Sequence, residues 1–238
     1  MRKLLVTLSI LIFIAFTAPC FAQQQMLGVL ARKNVAGGAI YLAETFETSE
    51  YDTTGCGAAP CYTEAGAPDG DTNTAGLDMV GSLCLTVDPT EGLFFTLADD
   101  DEYYVTFRAR YSETLESNEI FMQIFGNNGA NLLGMVYVST AGKPYAKAQG
   151  GSNSADLGAV FTATTSLYFK VRYKHVGAAN NEIELWYWNG AAWSASVSNL
   201  TGTTNYDIDT ILFLNSADAE IFYFDHIKVS TTNIADPT

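Results

Sequence analysis

The chain has 238 residues, a formal net charge of −14 at neutral pH, and only 16% charged residues against 48% hydrophobic ones. Charge so sparse, with 13% aromatics, excludes a disordered polyelectrolyte and supplies a core. The acidity excludes nucleic acid and anionic membrane surfaces as partners.

Met1-Arg2-Lys3 is a short basic start, and the stretch from Leu4 to Ala18 is almost wholly apolar. Cys20-Phe21-Ala22 then precedes a polar run of glutamines. This is the layout of a secretory signal peptide over 1–22, cut after Ala22. The apolar run is too short to favour a spanning helix. The mature chain is therefore expected to have no membrane span and to be secreted, to the extracellular space, the periplasm or the cell surface. Cleavage removes Arg2 and Lys3 and leaves ten basic residues against 26 acidic ones. Residues 23–38 read as a leader or linker ending at Gly37-Gly38, and 39–238 as one domain.

After the signal no stretch keeps a helical period. The first strand runs over 40–47, with Ile40, Leu42, Glu44 and Phe46 on one face. Residues 50–80 are rich in Gly, Asp and Thr and read as one long loop. Cys56 and Cys61 flank the turn-forming Gly57-Ala58-Ala59-Pro60, and in an oxidising compartment they are the expected disulfide. Cys84, within Leu83-Cys84-Leu85, reads as a buried thiol left over. Further short strands follow at 82–88, 93–97, 103–111, 120–125, 132–138, 144–148, 167–175, 182–188, 210–214 and 221–230. Gly, Asn, Asp and Ser clusters separate them. Many short strands with turn signals between them predict an all-β, two-sheet antiparallel sandwich.

Two of these strands fix a register. Tyr168, Lys170, Arg172 and Lys174 alternate with apolar residues, as do Glu182, Glu184, Trp186 and Trp188. A hairpin turning at 177–181 sets Lys174 opposite Glu182, Arg172 opposite Glu184 and Lys170 beside Trp186. Asn189-Gly190 signals a second tight turn.

In the last strand Ile221, Tyr223, Asp225, Ile227 and Val229 fall on one face by simple alternation. Asp225, like Glu44 in the first strand, thus stands in an apolar register, which is costly for an unpaired carboxylate. If the first and last strands meet, Glu44 and Asp225 become candidate ligands of a structural calcium, with Glu47 in place of Glu44 should the register slip. His175 and His226 carry no metal-ligand spacing.

Glu44-Thr45-Phe46-Glu47, the stretch from Glu184 to Gly190 and the ending from Tyr223 to Val229 together resemble a laminin-G-like domain of the concanavalin A-like lectin and glucanase superfamily. The resemblance spans roughly 39–230. It implies a jelly-roll sandwich with one concave sheet. Members include lectins, carbohydrate-binding modules, adhesion domains and glycoside hydrolases, and many bind calcium.

Trp186 and Trp188 share a polar-side register with Glu184, and Trp193 lies just past the turn. Adjacent indoles offer a platform for sugar rings, with Glu184 placed to bond hydroxyls; packing under another segment is the alternative. Catalysis finds little support. Glu182-Ile183-Glu184 and Asp207-Ile208-Asp209 each lack the third acid of a laminarinase-like strand, and no serine elbow is present. The sequence thus points to a non-catalytic binder of an extracellular polysaccharide or glycan. An adhesive surface protein that binds cell-surface proteins or itself is the rival, and a glycoside hydrolase or polysaccharide lyase ranks third.

Overall fold

Side chains alternate across a strand, so each apolar–polar run can bury one face and leave the other to solvent. The computed structural model describes residues 61–65, 84–112, 114–159, 161–163, 165–177, 181–200, 205–216 and 220–237 together with 40–44; for 40–44 and 61–65 the backbone alone is described. The expected signal peptide, the leader, Glu47 and Cys56 lie outside the described residues.

The described residues form thirteen strands: β1 (Ile40–Glu44), β2 (Cys61–Ala65), β3 (Leu85–Val87), β4 (Gly92–Asp100), β5 (Glu102–Tyr111), β6 (Glu119–Gly126), β7 (Asn131–Val138), β8 (Pro144–Ala148), β9 (Leu167–Lys174), β10 (Glu182–Tyr187), β11 (Val197–Leu200), β12 (Ile208–Leu214) and β13 (Phe222–Ser230). One sheet has the order β1-β13-β5-β9-β10-β11, with β3 also on β13; the other runs β2-β4-β12-β6-β7-β8. Every strand pairing is antiparallel. The result is an all-β, two-sheet jelly-roll sandwich. The first and last strands do meet: β1 pairs with β13.

The core is an aromatic cluster between the sheets. Phe107 of β5 packs edge-on against Phe213 of β12 at 5.0 Å between ring centroids and against Phe121 of β6 at 6.1 Å. Phe169 and Phe224 flank it on its own sheet. All five rings are fully buried. Burying such rings is the dominant favourable contribution to a sandwich of this kind.

Three expectations are corrected by the strands. The stretch 50–80 is not one loop, because Cys61–Ala65 pairs with β4 at the sheet edge. The stretch Val197–Leu200 forms a short edge strand on β10 that no apolar alternation announces. The third correction concerns β13. Asp225 pairs with Arg108 and Lys228 with Thr106, so His226 and Ile227 together stand opposite Phe107. This is a β-bulge, and its extra residue, His226, has φ +49°. The bulge flips the alternation: Phe222 and Phe224 face the core before it, Ile227 and Val229 after it. Tyr223 and Asp225 therefore leave the apolar face that unbroken alternation assigned to them. Glu44 pairs with Ile227, not with Asp225.

Candidate binding face on the seven-stranded sheet

The side chains of the seven-stranded sheet that alternate with the core set point away from the other sheet. On β5 they are Glu102, Tyr104, Thr106, Arg108 and Arg110, and on β9 Tyr168, Lys170, Arg172 and Lys174. Strand pairing assembles them into rows. Lys228, Thr106, Lys170 and Trp186 form one row across β13, β5, β9 and β10. Asp225, Arg108 and Tyr168 form the next.

The hairpin register expected from alternation is observed: Lys174 opposite Glu182, Arg172 opposite Glu184, Lys170 opposite Trp186. Arg172 sits at the centre of an ion cluster. Its Nε donates to Glu102 Oε1 at 2.5 Å and its Nη1 to Glu182 Oε2 at 3.0 Å and to Glu184 Oε2. Lys174 Nζ lies 3.5 Å from Glu102 Oε2. Burial alone would raise the Glu102 carboxyl, but the hydrogen bond and charge of Arg172 outweigh it and hold Glu102 below the ordinary glutamate value.

The ammonium of Lys170 lies 4.8 Å from the ring centroids of both Trp186 and Trp193. Burial lowers its pKa, against a partial upward pull from Glu184. The indoles do not lie in one plane: Trp188 and Trp193 meet edge to face, with ring planes at 72° and centroids 5.3 Å apart. The turn between them has Gly190 at φ +95°. Residues 231–237 cross this face. Asn233 Oδ1 accepts from Lys170 Nζ at 3.1 Å, Ala235 O from Trp193 Nε1 at 3.0 Å, and Pro237 O from Lys228 Nζ at 3.0 Å. The three tryptophans are half-buried.

A second group lies one row on. Arg108 Nε donates to Ser166 Oγ at 2.7 Å, and its guanidinium carbon lies 5.3 Å from the Tyr168 ring centroid. The Tyr168 hydroxyl and His226 Nδ1 share a 2.9 Å hydrogen bond, and Asp225 Oδ1 accepts the His226 backbone N–H at 2.6 Å. Burial raises the Tyr168 phenol, Arg108 pulls it down, and Asp225 pushes it up. Sequence reading missed this group. Tyr168 was visible only as one polar-side residue of a strand, and His226 reaches the face only because the bulge turns it there.

The other expected site residues fall as follows. Trp186, Trp188, Trp193 and Glu184 come together on this face. Asp225 lies on it too, fully buried beside Arg108. Of Glu44, its expected partner at a calcium ion, the backbone alone is described, and it stands opposite Ile227. Among the described residues no group of three or more His, Cys, Asp or Glu side chains is placed to hold a metal. Cys61 opens β2, its expected partner Cys56 lies outside the described residues, and Cys84 is buried.

Six of the eight Lys and Arg among the described residues stand on this one sheet face: Arg108, Arg110, Lys170, Arg172, Lys174 and Lys228. In a chain of net charge −14 that is a strong local segregation of cations, interleaved with Tyr104, Tyr168 and the tryptophans.

The fold and this face define an antiparallel jelly-roll β-sandwich whose outer sheet combines cations, carboxylates and aromatic rings. Among solved structures the chain is similar to an endo-β-1,4-glucuronan lyase from the fungus Trichoderma reesei, at 11% identity and a TM-score of 0.55, covering 84% of this chain and 99% of that one. It is also similar to a sialidase, at 13% identity and a TM-score of 0.50, covering 70% of this chain and 16% of the sialidase, so it spans about a sixth of that protein's length. At these identities the likeness is one of fold. No protein-family model matches the chain, and no curated protein sequence matches it.

Proposed function

We propose that the protein is a secreted, non-catalytic glycan-binding domain of laminin-G-like type that takes an acidic polysaccharide on the outer face of its seven-stranded sheet. The observation that carries this reading is the gathering on one face of six of the eight described Lys and Arg, outnumbering the carboxylates of Glu102, Glu182, Glu184 and Asp225 there, together with several aromatic rings, in an otherwise acidic chain. Guanidinium groups bond carboxylates through charge-assisted, often paired hydrogen bonds, and indole and phenol rings stack on sugar faces. The acidic remainder of the surface repels a polyanion, which confines binding to this face. The fold is shared with a glucuronan lyase over nearly that protein's whole length, which is in keeping with an acidic sugar as ligand.

The test is retention on immobilised glucuronan or alginate. The double variant Trp186→Ala/Trp188→Ala is expected to elute unretained while keeping a folded far-ultraviolet spectrum. Full retention of that folded variant would overturn the role of the indoles. The calcium expectation is checked beside it: an upward melting shift in millimolar calcium that Asp225→Ala removes would support a bound ion.

One observation favours a second reading, a polysaccharide lyase. Arg108, Tyr168 and His226 form a compact group suited to β-elimination from a uronate. Arg108 would neutralise the carboxylate. The hydrogen-bonded Tyr168–His226 pair would take the proton from the carbon beside it and return one to the leaving oxygen, as the carbon–oxygen bond breaks and a carbon–carbon double bond forms. Ultraviolet absorbance from an unsaturated uronate, lost in Tyr168→Phe, would establish this reading. An unchanged spectrum after prolonged incubation with glucuronan and alginate would eliminate it for those substrates.

A further inference from the structure

Away from the outer sheet face, the chain holds a cavity of about 390 Å³ at one end of the sandwich. That volume lies in the range of small-molecule sites, but its lining is polar where such sites are usually apolar. The turn joining β6 to β7 supplies Asn127 and Asn128, both in the left-handed region at φ +58°. The entry to β12 supplies Asn205, Tyr206, Asp207 and Asp209, and His175 and Asp99 complete the wall.

Some of these groups build the wall and others face the space. Asp209 is almost fully buried and accepts the backbone N–H groups of Asn128 and Gly129 and the hydroxyl of Thr210. It ties the turn to β12. His175, just past β9, bridges Asp207 Oδ1 at 2.9 Å and Asn205 Oδ1 at 3.1 Å, which ties the end of β9 to the entry of β12. Asp207 remains about half exposed. The large apolar side chains exposed among the described residues are Val176 and Tyr206. Tyr206 borders the cavity, and Val176 follows His175 in the chain. Tyr206, a residue left at 39% exposure beside carboxylates and amides, offers a stacking surface next to hydroxyl partners.

We infer that this cavity is a second saccharide site, distinct from the outer sheet face, and that it takes an uncharged or amine-bearing sugar unit. Carboxylates and amide oxygens accept hydrogen bonds from hydroxyls and ammonium groups. The same carboxylates repel a uronate or sialate. The basic sheet face and the acidic end cavity would thus select sugars of opposite character on one domain. Nothing in the cavity depends on the sheet-face reading, so either can fail without the other.

The experiment is amide NMR of the whole protein, titrated separately with mannose, glucosamine and glucuronic acid. The resonances of Asn127, Asn128, His175 and Tyr206 are expected to shift saturably with mannose or glucosamine and to stay in place with glucuronic acid. Tyr206→Ala and Asp207→Ala, at exposed positions that should keep a dispersed spectrum, are each expected to raise the dissociation constant about fivefold or more. Lys143→Ala, at an exposed position outside both sites, should leave it unchanged. Absence of saturable shifts with both mannose and glucosamine would overturn the inference. So would equal shifts with glucuronic acid, or unchanged affinity in folded Tyr206→Ala and Asp207→Ala.

Discussion

Arg172 shows how far a single residue can be read from sequence. Its place opposite Glu184 follows from two alternating runs and one turn. Its bond to Glu102 does not, because that partner lies 70 residues away and arrives only when β5 pairs with β9. The cluster is partly exposed, which discounts its strength relative to a fully buried pair. Arg172→Ala should still cost about 2 kcal/mol at neutral pH, since it leaves three carboxylates crowded together. The pH dependence has a definite sign. Glu102 titrates below its ordinary value of 4.5 in the folded chain, so its contribution is complete above that value and is lost as pH falls through the lower folded one. Chemical denaturation at neutral and acidic pH should therefore show the difference between wild type and Arg172→Ala shrinking in acid. A difference that grows in acid would mean that the cluster is not held by these charges.

The bulge in β13 shows what a period-two reading cannot see at the scale of an element. Simple alternation put Asp225 with Ile227 and Val229, and one extra residue undoes that. The consequence is functional as well as structural. The bulge turns His226 to the outer face, where it meets Tyr168, and turns Asp225 toward Arg108. Nothing in the local sequence marks it, because His226 is not a glycine and no proline interrupts the strand. A non-glycine residue at φ +49° carries backbone strain that glycine does not. His226→Gly should therefore be more stable than His226→Ala by about 1 kcal/mol in urea denaturation, since both lose the bond to Tyr168 and only alanine keeps the strain. Alanine equal to or better than glycine would show that the bulge is not strained at this residue.

At the scale of the whole molecule, the two-sheet sandwich and its closure by the first and last strands were legible, because burial of one face imposes alternation on the central strands. The edge strands β2 and β11 were not, because a short edge strand buries little and its sequence need not alternate. The tryptophan cluster was legible as a set of residues sharing a face. Its geometry was not, since residues 231–237 cross that face and Lys170 lies against two of the rings. The gathering of cations on one sheet was equally hidden, because it needs β5, β9 and β13 side by side. Binding of an acidic glycan to this face is tested by calorimetric titration of a glucuronan oligosaccharide into wild type and Arg108→Ala at rising salt. Saturable binding is expected, weakening with salt and falling about tenfold or more on loss of the guanidinium. Binding that is indifferent to both salt and Arg108, or no binding to any uronate oligosaccharide, would contradict it.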